Sequence, residues 1–293
     1  MAVSGVPKSI LITGGSGFLG HALTRRLLAI GAQRICIYSR GEHAQADMRQ
    51  EFGDDARLRW MIGDVRDLVR LRRAAEGCAT IIHAAALKRI EVGAYNPEEM
   101  IATNVGGAMN VLDAACSAGL GKIVFVSSDK AVAPVSPYGL TKALSEDLFR
   151  SANTTRPSGP HCTVVRYGNV AGSTGSVIPT WAAAIDIGRP VRLTDPDCTR
   201  YWMRIDDAVE LVLSAIKSER ELLIPQLPAY RLGDLLLAFG VEPDKITGLP
   251  AHEKRHETMD GITDSSQARR MSVEELREGL WRLGYAKPLK EAA

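Results

Sequence analysis

The 293-residue chain contains no apolar run approaching the ~20 residues needed to cross a bilayer. Its start, Met1 to Ser9, lacks the charged-then-apolar pattern of a secretory leader. Both absences point to a cytoplasmic protein with no membrane partner. Cysteine is scarce: Cys36, Cys78, Cys116, Cys162 and Cys198 are widely spaced, form no CxxC pair and have no histidine at metal-ligand spacing. They read as reduced, mostly buried thiols, and no metal site is expected. Charge of one sign is not concentrated either. The formal net charge is +2 and the arginines are scattered, which excludes a basic track for a nucleic-acid backbone. Low-complexity segments and internal repeats are absent.

What is present is the composition of an ordinary globular protein, 45% hydrophobic and 24% charged. The first half alternates short apolar, β-branched runs with amphipathic stretches, the pattern of a parallel sheet covered by helices on both faces. Strands are expected at Ser9 to Thr13, Arg34 to Ser39, Leu58 to Asp64, Thr80 to Ala86, Lys122 to Ser128 and His161 to Gly168. Helices are expected at Gly17 to Ile30, Val65 to Glu76, Pro97 to Ala118 and Ser136 to Asn153. The fold class is therefore α/β, a doubly wound parallel sheet of the Rossmann type with a smaller C-terminal substrate lobe. A helix from about Asp206 through Ile216 is expected to return to the sheet, and a last helix spans Ser272 to Leu283. The lobes interleave: residues 1–168 plus about 204–226 form the dinucleotide domain, and about 169–203 with 227–293 form the substrate lobe.

The first strand runs into Gly14, Gly15, Ser16, Gly17, Phe18, Leu19 and Gly20, a glycine-rich turn followed at once by a helical pattern. Such a turn brings backbone close to a pyrophosphate, while the helix start offers unpaired N–H groups to it. Dinucleotide binding follows. The second strand ends in Ser39 and Arg40, where a cofactor lacking a 2′-phosphate would usually meet an acid, so NADP is preferred over NAD. Asp64, followed by Val65, is placed either to accept from the adenine amine or to cap the next helix. His83 is assigned no role, and the small residues Ala84, Ala85 and Ala86 after it leave room for a nicotinamide ribose.

Tyr138 and Lys142 form YxxxK at a helix start, one turn apart on one face. A tyrosine needs a lowered pKa to act as a base near neutrality, and a lysine cation beside it, with the nicotinamide charge, would lower it. Ser128 closes the fifth strand, and Asn104 lies on the preceding helix, where it could hold a water against the lysine.

TGGSGFLG, HAAALK, TN, SSDK, YGLTK and RYGNV occur here in the order of the extended short-chain dehydrogenases that act on nucleotide sugars, and the chain resembles that family over nearly its whole length. Within it, the sequence looks like the soluble, configuration-inverting UDP-N-acetylglucosamine 4,6-dehydratases of the pseudaminic acid and polysaccharide type. That resemblance implies a nucleotide-sugar substrate and gives Asp129 and Lys130 roles as the acid and base of water elimination. It further implies Tyr167 at the cofactor, Lys88 and Asn169 near the sugar diphosphate, Arg200 on phosphate or nucleotide and Glu257 on the ribose. Lys88 and Glu257 are equally readable as surface residues. Helices from Pro97 and Ser136 lie where relatives pair subunits, implying a homo-oligomer. The alternatives are a nucleotide-sugar epimerase or oxidoreductase on the same Ser, Tyr and Lys, and, remotely, a non-catalytic NADP-binding regulator.

Overall fold

A computed structural model of the chain describes residues 7–286. Residues 1–6 and 287–293, the outer ends of the two expected domains, lie outside the described residues. The chain divides into two compact units: the first runs to Arg166 and resumes over Ile205–Pro225, and the second comprises Tyr167–Arg204 and continues from Gln226.

In the first unit β1 (Ser9–Thr13), α1 (Phe18–Ala29), β2 (Arg34–Ser39), α2 (Glu42–Phe52), β3 (Leu58–Ile62), α3 (Leu68–Ala75) and β4 (Thr80–His83) alternate. Then come α4 (Ile90–Tyr95), α5 (Pro97–Met100), a π-helical segment Ile101–Gly106, α6 (Gly107–Ser117), β5 (Lys122–Val126), a 3₁₀ turn Asp129–Ala131, α7 (Pro137–Thr155) and β6 (His161–Val165). The second unit opens with α8 (Val177–Asp186), β7 (Arg192–Leu193) and β8 (Thr199–Tyr201). The chain returns to the first unit as α9 (Ile205–Lys217) and β9 (Leu222–Leu223) before β10 (Ala229–Arg231), α10 (Leu232–Phe239), β11 (Lys245–Ile246) and α11 (Val273–Arg282) complete the second.

The large sheet is parallel throughout, in the order β3-β2-β1-β4-β5-β6-β9. Its central strands are apolar and buried on both faces, as helices on both sides require. Leu11, Cys36, Ile81, Ile123 and Val164 meet Ala108, Val111 and Phe149 in the core of this unit. The strand order reverses between β1 and β4, and in open sheets of this kind ligands bind in the crevice outside that point.

Several expected elements are corrected. The strands expected to reach Asp64, Ala86, Ser128 and Gly168 stop at Ile62, His83, Val126 and Val165. The chain peels off gradually, since Ala84 still donates to the Thr13 carbonyl and Ser127 to that of Val165. The long helix expected from Pro97 is interrupted by the π segment. Helices α2 and α4 and strand β9 are additional. In α2 only Gln45 and Met48 are buried, too narrow a stripe to register as an amphipathic period.

In the second unit a separate core forms from Ile178, Trp181, Leu193, Trp202, Tyr230, Leu235, Leu276 and Leu280. The start of α11 is closed by a capping box between Ser272 and Glu275. Among the described residues no helix is long and apolar enough to cross a membrane.

Candidate active site

The glycine-rich turn sits at the carboxyl end of β1, against the end of β4. Gly14 has φ 70°, and a Cβ there would lie 2.8 Å from the Ala85 nitrogen and 3.0 Å from the Ala84 carbonyl carbon. Only glycine permits so close an approach. The two segments are joined below by Thr13 and His83, whose Oγ1 and Nδ1 are 2.7 Å apart, and Ala85 N–H donates to the same hydroxyl at 3.4 Å. His83, given no role from sequence, thus ties the turn to the Ala84–Ala86 segment. Burial, then the charge of Lys142, pushes its pKa down to about 3, so it is neutral.

Ser16, Gly17, Phe18, Leu19 and Gly20 carry the turn into α1, whose N-cap Gly17 makes no side-chain cap. The open backbone cradle and uncapped helix start fit a dinucleotide pyrophosphate. At the end of β2, the hydroxyls of Ser16 and Ser39 are 2.8 Å apart, while Arg40 lies half exposed, 3.6 Å from Asp64. Asp64 does not cap α3; that task belongs to Asp67, which accepts from the Arg70 N–H. Instead Asp64 accepts from the Arg66 guanidinium at 3.0 and 2.8 Å and from the Arg66 N–H at 2.9 Å. Val65 is buried beside it. Tyr167 falls in the second unit, because the first ends at Arg166.

Beyond β5 the chain turns sharply. Ser128 caps the 3₁₀ turn, and its hydroxyl donates to Asp129 Oδ1 at 2.8 Å. Lys130 Nζ reaches the same oxygen at 3.1 Å. The Asp129 side chain is fully buried, that of Lys130 20% exposed. Ser136 caps α7 and Pro137 occupies its first turn, which aims Tyr138 and Lys142 at this turn from one buried face. Against the effect of burial, Lys130 and Ser128 both act to lower the Tyr138 phenol pKa, which places Tyr138 against this turn. Four of the expected catalytic residues are therefore in one contact network.

Lys142 and a nicotinamide charge are together expected to lower the tyrosine pKa; within the protein itself burial raises the Tyr138 phenol, Lys130 and Ser128 act against that rise, and Asp129 adds to it. Lys142 itself is dropped to about 7 by burial, against the pull of Glu146. Its Nζ donates to the Val126 carbonyl at 2.7 Å and lies 4.4 Å from the Phe125 ring centre, and that ring stacks on His83 and Phe149. The Asn104 side chain accepts from the Leu87 N–H at 2.8 Å and donates to the Leu87 carbonyl and the Thr141 hydroxyl, both at 3.0 Å. Asn104 thus clamps the loop next to Lys88, which is exposed, onto α7. Asn104 lies within the π segment and is buried there.

In the second unit Arg200 and Glu257 form one cluster. Arg200 is 7% exposed, donates to Glu253 at 3.4 Å and to the Thr199 and Arg255 carbonyls, and lies 4.0 Å from Glu257, which Lys254 meets at 2.9 Å. Burial alone would lower the Arg200 pKa, but Glu257, Cys198 and Glu253 outweigh it and raise it. The side-chain oxygen Oδ1 of Asn169 is buried without a protein hydrogen bond, an acceptor available to a ligand. Among the described residues no group of His, Cys, Asp or Glu could hold a metal. The cysteines are unpaired thiols, four of them buried and Cys116 partly so.

A model of the polysaccharide biosynthesis protein family matches residues 10–276. An inverting UDP-N-acetylglucosamine 4,6-dehydratase of Campylobacter jejuni subsp. jejuni serotype O:2 is 42% identical over 88% of this chain and 79% of its own. A UDP-glucose 4-epimerase of Rickettsia prowazekii is 37% identical over 90% of this chain and 80% of its own. Among solved structures, that of Pen from Bacillus thuringiensis superposes with a TM-score of 0.90 at 28% identity, covering 97% of this chain and all of the other. The chain belongs to the polysaccharide biosynthesis protein family and has the Rossmann fold of the extended short-chain dehydrogenases.

Proposed function

We propose that the protein is an NADP-dependent nucleotide-sugar 4,6-dehydratase acting on UDP-N-acetylglucosamine with inversion at C5, and that it works in the cytoplasm as a homo-oligomer. The observation that carries this reading is the Asp129–Lys130 pair, 3.1 Å apart beside Ser128. The identity to an inverting dehydratase supports the substrate. Exposed Met109, Leu140 and Leu144 on α6 and α7 support self-association.

NADP, when bound, supplies what side chains lack, taking a hydride from the sugar C4 and giving it back at C6. Gly14 to Gly20 would hold its pyrophosphate and Ser39 with Arg40 its 2′-phosphate. The protein does the proton work. Tyr138 takes the proton of the 4-hydroxyl, a role in which Lys130, Ser128 and the charge of a bound nicotinamide would have to outweigh the effect of burial on its phenol. The resulting 4-ketone acidifies C5–H. Lys130, as the free amine, removes that proton, and Asp129, as the acid, delivers its own to the departing 6-hydroxyl, so water leaves across C5 and C6. An Asp129 carboxylate with a Lys130 ammonium holds as many protons as the acid with the amine, so one proton shift along the pair readies both groups. Reprotonation at C5 from the opposite face gives the inverted 4-keto-6-deoxy sugar.

An epimerase uses Ser128, Tyr138 and Lys142 alone and leaves Asp129 and Lys130 without a task. Incubation with UDP-N-acetylglucosamine separates the two. A dehydratase yields a product lighter by one water, with deuterium at C5 in heavy water and no lasting NADPH absorbance. An epimer of unchanged mass sinks the proposal, as does full activity of Lys130→Ala.

A further inference from the structure

The end of β2 carries a hydrogen-bond chain that begins on α2. Gln45 is 4% exposed, and its Nε2 lies 3.1 Å from the Ser39 carbonyl, 3.0 Å from the Met61 carbonyl and 2.9 Å from Ser39 Oγ. Carbonyls only accept, so the two of them fix which end of the amide faces the sheet; its two hydrogens meet three acceptors, so one hydrogen is shared, and in its contact with the amide nitrogen the Ser39 hydroxyl accepts. Ser39 Oγ is in turn 2.8 Å from Ser16 Oγ in the glycine-rich turn.

Counting hydrogens along the chain decides what the pair presents. If Ser39 donates to Ser16, the Ser16 hydroxyl keeps its hydrogen for a ligand. If Ser16 donates to Ser39, the Ser39 oxygen accepts twice and its own hydrogen is left. Either way the Ser16–Ser39 bond leaves one hydroxyl hydrogen over, and what Gln45 changes is the accepting side: its contact occupies Ser39 accepting capacity that a ribose hydroxyl would otherwise use. The neighbouring Arg40 carries donors only. Asp64, the carboxylate beside it, already accepts from Arg66 on both oxygens.

We propose that Gln45 is a positioning residue for cofactor choice: by occupying the accepting side of the Ser39 hydroxyl it leaves the Ser16–Ser39 pair a spare hydrogen and less accepting capacity, suited, with Arg40, to the acceptor-only oxygens of a ribose 2′-phosphate. The proposal deepens the NADP reading and rests on it. The role of Gln45 is indirect, through Ser39, and this sets the form of the test.

Dissociation constants of NADP+ and NAD+ are measured by titration calorimetry on the full chain, for the parent, Gln45→Met, Ser39→Ala and the double variant. The parent is expected to bind NADP+ more tightly than NAD+. Gln45→Met should weaken NADP+ by about tenfold and NAD+ by less than about twofold, the loss of one hydrogen bond to a charged group. In the double variant the Gln45 substitution should add nothing to the loss caused by Ser39→Ala, because the two act through one hydroxyl. An unchanged NADP+/NAD+ ratio in Gln45→Met, or losses that add in the double variant, overturns the role of Gln45 while leaving the NADP reading intact. A parent that prefers NAD+ overturns both, and the parent titration alone reports it. If Gln45→Met fails to fold by circular dichroism, Gln45→Asn, which draws the amide back by one methylene, carries the same comparison and the same outcomes.

Discussion

Asp64 and Asp129 leave the carboxyl edge of the same sheet, one after β3 and the other after β5, yet they are surrounded differently. The Asp64 side chain is 23% exposed and accepts from the guanidinium and backbone of Arg66. Partial burial would raise its pKa, and the Arg66 side-chain and backbone bonds outweigh that and lower it. It is an ionised anchor that keeps its charge. Asp129 is fully buried and is met at Oδ1 by a hydroxyl and an amine, both of which can move a proton. A guanidinium fixes a carboxylate; a lysine and a serine leave it able to exchange. The edge at β3 holds its carboxylate in a fixed ion pair, and the edge at β5 keeps its carboxylate among groups that can exchange a proton.

The sharpest way to break this comparison is Asp129→Asn, which keeps the size and removes the transferable proton. Water loss should slow by about 10²–10⁴-fold, the usual worth of general acid catalysis, in single-turnover product mass measurements. A smaller loss would make Asp129 an anchor like Asp64. Next comes the lysine of the reactive edge. With a folded pKa of about 7 against an ordinary 10.5, Lys142 is neutral in the folded chain and protonated in the unfolded chain between those pH values. The unfolded state then binds the extra proton, so stability should rise with pH across that window, by several kcal/mol at ~1.4 kcal/mol per unit, and the rise should vanish in Lys142→Met. Urea melts at stepped pH measure it. Gly139→Ala tests how tightly the turn is held. A Cβ there would run into the Lys130 carbonyl, so a loss of about 1–3 kcal/mol by denaturant melt is expected, with lower turnover as the Asp129–Lys130 turn is displaced. The smallest effect belongs to Asp64→Asn. A partly exposed ion pair contributes under about 1 kcal/mol, and thermal melts should show no more.

The reactive edge was legible because its residues are close in sequence. Ser128, Asp129 and Lys130 are consecutive, and Tyr138 and Lys142 share a helix face, so pattern and spacing alone bring them near each other. The glycine turn between β1 and α1 is legible for the same reason. The holding edge was less so. Gln45 acts from α2, an element whose eleven residues include seven that are charged or polar in Glu42–Phe52; the clue was Gln45, Met48 and Phe52 at helical spacing, with a polar residue in the first place. Asp67 took the capping role open to Asp64, a choice between nearby acids that only backbone geometry makes. His83 and Asn104 act by burial: one joins Thr13 to an aromatic stack, the other joins Leu87 to Thr141. No local pattern announces a contact between residues so distant in the chain. Arg200 and Glu257 were read separately, and the fold makes them ionic neighbours.

The sheet of the first unit ends in a strand that the ribosome makes last. β9 pairs with β6 only after the whole of Tyr167–Arg204 has been synthesised, and the Lys122 ammonium on β5 donates to the Ser218 carbonyl just before it. A nascent chain that has just released β6 therefore has its Asp129–Ala131 turn but an open, apolar sheet edge, with Lys122 beside Thr163 and lacking one of its acceptors. Long-range pairing of this kind is slow to form. Completion of the seven-stranded sheet waits for synthesis of Tyr167–Arg204, the first segment of the other unit.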